Sequence, residues 1–334
     1  MISLVRRVTA TCALGAALAG LAGCGFVPTT GTGRPAPSGP AASPSPGGSG
    51  SPASPTPDPS GATTAPSRPP ALAPGPGGLT PVFSHGPRTA GKVVALTFDA
   101  DMTAAEGPRA AAGEHFDNPA LIATLRALRV PATVFMTGRW AEEYPEQARS
   151  IGQDPLFELA NHSYSHYAFT GNCYGLPTVS PEQMRPEVDR AYAAFRAAGV
   201  AHAMPYFRFP GGCYDERALR ALAGLGVTAV QWDVVSGDAF ATDAGAVTRQ
   251  VLDGVRPGSV VVMHCTRSAA PTTEQVVRTV VPELRRQGYR FVKVSELIRA
   301  ANLAAPAQVP GGAPSGAATG AAGAAGTGAP GGRS

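Results

Sequence analysis

The chain has 334 residues, with 41 glycines and 34 prolines crowded toward its two ends and a formal net charge of +4. That composition excludes two large globular domains and leaves one block, about residues 92–301, able to bury a single full core. So small and dispersed a charge excludes a nucleic-acid-binding surface.

In chain order, Arg6 and Arg7 precede a small, apolar run over residues 8–21. This is the charged start and apolar centre of an export signal, too short for a comfortable membrane span. Leu21-Ala22-Gly23-Cys24 resembles a bacterial lipobox. The resemblance implies cleavage after residues 1–23, lipidation of Cys24, and anchoring at the outer face of the cytoplasmic membrane; a plain secretory signal is the alternative. Residues 24–88 are then the lipidated cysteine and a Pro/Gly/Ser-rich tether, and residues 302–334 an Ala/Gly-rich tail. Neither can bury enough apolar surface to offset ordering, so both are expected to be disordered. A solute-binding lipoprotein would also carry a lipobox, but such proteins need two lobes and residues 89–301 make one.

Within that block, residues 92–98 form a near-continuous apolar run ending in Asp99-Ala100-Asp101, the pattern of a buried strand presenting carboxylates at its C-terminal end. Helical spacing follows over 118–128, a strand over 132–136, a helix over 141–151 and a short strand over 156–160. Ser180-Pro181-Glu182 opens a helix reaching 198. A strand over 206–209, a helix over 215–225, a strand over 227–232, a helix over 244–252, a strand over 259–263, a helix over 272–286, a strand over 289–292 and a closing helix over 295–300 complete the block. The alternation predicts a parallel α/β fold, specifically a distorted TIM-like (β/α)7 barrel with its site at the strand C-termini. An open doubly wound sheet competes, although no Gly-x-Gly-x-x-Gly opens the first helix.

Reactive residues gather at those strand ends. His162 and His166, two of six histidines, follow the strand at 156–160 and can grip a divalent transition metal if a carboxylate joins them. Singly, each candidate has an ordinary reading: Asp99 and Asp101 as loop caps, Arg208 in a surface ion pair, His264 as a core histidine. Their coincidence favours a site. In this order the motifs resemble the polysaccharide deacetylases of carbohydrate esterase family 4, the NodB-homology domain. Thr97-Phe98-Asp99 is similar to its first motif and Asn161-His162-Ser163-x-x-His166 to its second. Arg208-Phe209-Pro210-Gly211-Gly212 is similar to the third, and Val262-Met263-His264 to the fifth.

Two departures bear on the chemistry. Where the family has a second, adjacent aspartate as metal ligand, this chain has Ala100, with Asp101 one residue later. Residues two apart in a strand share a face, so Asp101 can be the third ligand if the backbone past Phe98 stays extended. Asp99 on the metal, or a water completing a two-histidine site, is the alternative. The fourth motif survives only around Asp238, so Asp233 or Asp238 would support His264.

The resemblance implies a divalent ion (zinc, or cobalt or a similar metal) on Asp101, His162 and His166. It makes Asp99 the general base, held by a fork of hydrogen bonds from Arg208, the Gly211 N–H an oxyanion donor, and His264 the acid that protonates the leaving amine. The expected substrate is an N-acetylglucosamine polymer, peptidoglycan being favoured by the anchor, and the expected state a monomer. An O-acetyl esterase and an inactive wall-binding lipoprotein are the competing readings. Export permits a disulfide, and Cys173, Cys213 and Cys265 allow three pairings with one thiol left over, of which Cys173–Cys213 is favoured.

Overall fold

The structure, a computed structural model, describes residues 68–305; the export signal, Cys24 and nearly all of the C-terminal tail lie outside the described residues. The elements are β1 (Val82–Phe83), β2 (Val93–Ala100), α1 (Gly107–Ala111), α2 (Pro119–Ala127), β3 (Ala132–Met136), α3 (Gly138–Glu143), α4 (Pro145–Gly152), β4 (Phe157–Asn161) and α5 (Met184–Ala197). They continue with β5 (Tyr206–Phe207), α6 (Glu216–Ala221), β6 (Thr228–Val230), β7 (Val234–Val235), α7 (Ala244–Gly254), β8 (Ser259–His264), α8 (Thr273–Arg286), β9 (Arg290–Phe291) and α9 (Val294–Ala304).

The sheet runs β1-β6-β5-β4-β3-β2-β8-β7, with β9 paired to the start of β2. Every ladder is parallel. β1 and β7 are the two free ends of the path, so the curled sheet is a distorted, incompletely closed barrel. The expected fold class holds.

β2 explains the layering. All eight of its residues are buried, as a strand covered on both faces requires. Val94, Leu96, Phe98 and Ala100 face outward into a core shared with α2, α7 and α8. Val93 and Ala95 face inward, with Phe135, Ala160, Tyr206 and Val260, onto Leu297 and Ile298 of α9, which plugs one end of the interior. Thr97 and Asp99 continue that inward row toward the other end, and the site lies there.

Local chemistry shifts three expected boundaries. The helix expected over 141–151 is two helices, because Tyr144 precedes Pro145 and leaves the helical region (φ −123°), as a residue before proline tends to do. The strand expected over 227–232 stops at Val230, and the chain re-enters the sheet as β7 on the far side, beside β8. Ordered chain also begins ahead of residue 89: β1 pairs with β6, and the ring of Phe83 is buried. Among the described residues, no helix is long and apolar enough to cross a membrane.

Candidate active site

β2 and β8 run side by side with Asp99 opposite His264, and β4 ends at Asn161, one residue before His162. Pairing outlasts β2: Cys265 N–H donates to the Asp99 carbonyl (2.7 Å), and the Asp101 N–H donates to Thr266 Oγ1 (2.9 Å). The backbone past Phe98 is thereby kept in line, and Asp99 and Asp101 border one cavity of about 640 Å³ with His162, His166, Gly211 and His264.

Asp101, His162 and His166 converge, with one ligand atom from each lying within 4.8 Å of the others. Asp101 Oδ1 is 3.2 Å from His162 Nε2 and 3.6 Å from His166 Nε2. His162 Nδ1 lies 2.9 Å from the Arg208 carbonyl. A carbonyl only accepts, so Nδ1 carries the proton and, in the neutral ring, Nε2 presents a lone pair. Asp101 Oδ1 is itself buried without a hydrogen-bond donor. Lone pairs aimed at one point repel unless a cation sits among them. Two nitrogens and one carboxylate oxygen are the donor set of an open zinc-type site, so the residues fit a divalent ion.

The titration directions agree with that electrostatic picture. Burial opposes ionisation of Asp101, yet His166 and His162 hold its carboxyl well below the usual carboxylate range. Burial pushes His166 down to about 4 and keeps its ring neutral. Burial also opposes charge on His162, but Asp99 and Asp101 outweigh it and raise its pKa.

The histidine loop is built by local chemistry. Ser163 and His166 take positive φ (68° and 58°). Asn161 Oδ1 accepts from Ser163 N–H (2.9 Å), and Ser163 Oγ accepts from His166 N–H (3.0 Å). From α5, buried Glu187 Oε2 accepts from Tyr164 N–H (3.1 Å), Ser165 N–H (2.8 Å) and Ser165 Oγ (2.8 Å). Glu187 and Thr266 were not singled out from sequence. The signal for Glu187 was present: an acid on the apolar stripe Met184, Val188, Ala191, Phe195.

Asp99 meets Arg208 through one bond, Nη1 to Oδ1 at 2.6 Å. The expected fork is corrected here. Arg208 Nε is taken by the Val230 carbonyl (3.1 Å), and Nη2 has no partner. The guanidinium lies 3.9 Å over the ring of Phe135. Packing and a single charged bond therefore fix Arg208, and they hold Asp99 at 3.7 Å from His162 Nε2.

His264 Nδ1 lies 2.8 Å from Asp238 Oδ1, and His264 N–H donates to Asp238 Oδ2 (2.8 Å). Ser236 and Thr273 hydroxyls donate to the same carboxylate. Asp233 is elsewhere, bonded by Arg88, Ser259 and the Val260 N–H. Burial disfavours charge on His264, but Asp238, with Asp101 and Asp99 behind it, pushes its pKa up to about 10.

A disulfide joins Cys173 to Cys213, and Cys265 is a free, buried thiol. Gly211 has φ +64°, and a Cβ there would come within 2.6 Å of Cys173 Sγ. The bridge fills the space a larger residue would need.

The family model described as polysaccharide deacetylase matches residues 86–230. The chain carries a polysaccharide deacetylase domain. A chitooligosaccharide deacetylase of Bradyrhizobium sp. is 28% identical over 228 residues, covering 64% of this chain and 94% of that one. A peptidoglycan-N-acetylglucosamine deacetylase of Bacillus cereus is 27% identical over 210 residues, covering 62% of this chain and 69% of that one. A solved carbohydrate esterase family 4 pseudoenzyme from Bacillus anthracis shares the fold of the deacetylase domain with TM-score 0.53 at 23% identity, over 66% of this chain and 69% of that one.

Proposed function

We propose that the protein is a metal-dependent hydrolase that removes acetyl groups from N-acetylglucosamine units of a cell-wall or chitin-like polymer. The observation that carries this reading is the convergence of Asp101, His162 and His166 on one buried point, with a separately held carboxylate and imidazole beside it. A cation bound there supplies Lewis acidity, acidifying a water and polarising the acetyl carbonyl.

The chain's own groups then divide the proton traffic. Asp99, steadied by Arg208, takes a proton from the attacking water. The Gly211 N–H donates to the developing oxyanion. His264, kept protonated by Asp238, gives its proton to the sugar nitrogen as the C–N bond breaks. Separate base and acid suit an amine leaving group, which must be protonated to depart. The curated relatives named above act on chito-oligosaccharide and peptidoglycan, and this supports an N-acetylated amino-sugar substrate.

Export by residues 1–23 and lipidation at Cys24 would set the domain on the outer face of the cytoplasmic membrane, within reach of peptidoglycan. We take the protein as a monomer and the ion as zinc, with cobalt able to replace it.

The deciding experiment measures bound metal and acetate release together, on chito-oligomers, peptidoglycan and acetylxylan. Stoichiometric metal with release from the amino-sugar substrates, lost in His162→Ala, is expected. Release from acetylxylan alone would make the enzyme an O-acetyl esterase. Glycan binding with neither metal nor turnover would make it a wall-binding protein.

A further inference from the structure

Two aromatic side chains at the mouth of the cavity lack the usual reason for being where they are. Tyr174 is 87% exposed and Phe240 is 84% exposed. Both line the cavity that holds the metal-ligand cluster. Both also have positive φ, 51° and 59°, a region that bulky side chains rarely enter. Strain of this kind persists only where the surroundings impose it, and it gathers at binding sites.

The backbone is tethered at both positions. Tyr174 follows Cys173, whose disulfide pins the loop to the Gly211 turn. Its Cδ2 lies 3.2 Å from where a Cβ on Gly211 would be. Phe240 comes two residues after Asp238, the carboxylate that orients His264, and its N–H donates to the Ala269 carbonyl. Each ring thus stands next to a part of the proposed catalytic machinery while packing against little of the protein. An apolar ring held open to water at such a cost is built to meet a ligand.

We propose that Tyr174 and Phe240 are stacking platforms for the sugar units flanking the one being deacetylated, so that the site selects chains over single sugars. The inference rests on the deacetylase reading above. A pyranose presents an apolar face of C–H bonds edged by hydroxyls, which an exposed aromatic face complements as one apolar surface meeting another. The cavity, at about 640 Å³, falls in the range of sites that enclose a whole small ligand, about 300–1,000 Å³. Rings at its rim then meet whatever part of a chain extends beyond the enclosed unit.

The test uses zinc-loaded full chain and N-acetylglucosamine oligomers of one to six units, read by Trp232 fluorescence for binding and by acetate release for KM and kcat. Trp232 lines the same cavity. Asparagine tolerates the left-handed region, so Tyr174→Asn and Phe240→Asn remove the rings while keeping the backbone. Each is expected to raise KM for the longer oligomers about five- to tenfold with a smaller change in kcat, as the loss of one stacked contact implies. Each should flatten the gain in affinity with chain length. Tyr174→Phe and Phe240→Tyr should restore the gain. Leu303, equally apolar and 82% exposed on α9, serves as control, since Leu303→Asn should change nothing.

If the unaltered protein turns over long oligomers and the two asparagine variants show the same length dependence, the platform assignment is wrong and the deacetylase reading stands. If the unaltered protein neither binds nor deacetylates any oligomer, both fall together.

Discussion

Asp99 and Asp101 lie two residues apart on one face, yet their partners differ. Asp99 is tied to Arg208, whereas Asp101 Oδ1 has no protein donor and faces two imidazole nitrogens. Asp101→Asn should therefore weaken zinc binding by at least about 100-fold, the upper end of what even changes to residues behind the ligands cost. Asp99→Asn should keep the metal and lose about 10²–10⁴ in kcat. Equal metal loss in both variants, measured by chelator competition, would put Asp99 on the metal. Asp238 invites a separate test. His264 has its pKa raised to about 10 from an ordinary 6.5, so its contribution to stability is fully present below about 6.5 and disappears as pH rises toward 10. A cation beside Asp101 offsets the distant acids' share and leaves that of Asp238. Asp238→Asn should then shift the basic limb of the pH–rate profile down by at least about one unit. Its stability deficit should be largest at neutral and acid pH. An unmoved limb would remove His264 as the acid. The histidine pair was legible because its members are neighbours in sequence at a strand end. Which of Asp233 and Asp238 reaches His264 was not, since that depends on where the chain turns after β7.

Two of the shortest strands left no trace in the sequence, while β5 and β9, equally short, showed only as parts of longer apolar stretches. β1 and β7 have two residues each, too few for alternation to show, whereas β2, β3 and β8 announced themselves as apolar runs of five to eight residues. The break at Pro145 was a local signal outweighed by apolar spacing on either side of it. α5 matters beyond its packing, because Glu187 gathers three donors from the histidine loop onto one oxygen. Glu187→Ala would leave those donors unpaired, at about 1–3 kcal/mol for each one that stays buried. It should also let His166 wander and weaken zinc binding about 10–100-fold. His162 is fixed independently by the Arg208 carbonyl, so binding should be weakened, not abolished, and Glu187→Gln should recover part of it. A variant that melts early but holds zinc as tightly as the parent would reduce Glu187 to a packing residue.

At the scale of the whole described chain, the incomplete barrel makes the stretch before residue 89 part of the fold. Phe83 is buried, its carbonyl accepts from Gln231 N–H (2.8 Å), and the Pro81 carbonyl accepts from Ala229 N–H (2.8 Å). Further back, the Tyr206 hydroxyl donates to the Pro70 carbonyl (2.7 Å), and Leu72 N–H donates to Thr228 Oγ1 (3.1 Å). Composition marked this stretch as tether because proline and glycine mask the two residues that enter the sheet. A chain starting at residue 89 loses the burial of Phe83, about 1.5–3 kcal/mol, and several hydrogen bonds of about 0.5–1.5 kcal/mol each. For a domain of this size, that should lower the unfolding midpoint by about 10 °C relative to a chain starting at residue 68. The damage should also reach the chemistry. β1 secures the backbone of Gln231, and Gln231 Nε2 donates to the Gly212 carbonyl (2.8 Å) beside the proposed oxyanion turn. With the edge of β6 bare, that turn loses a support, so the shorter chain should show reduced kcat even well below its melting temperature. Equal midpoints and equal turnover for the two chains would show instead that the barrel, open edge and all, needs nothing ahead of residue 89.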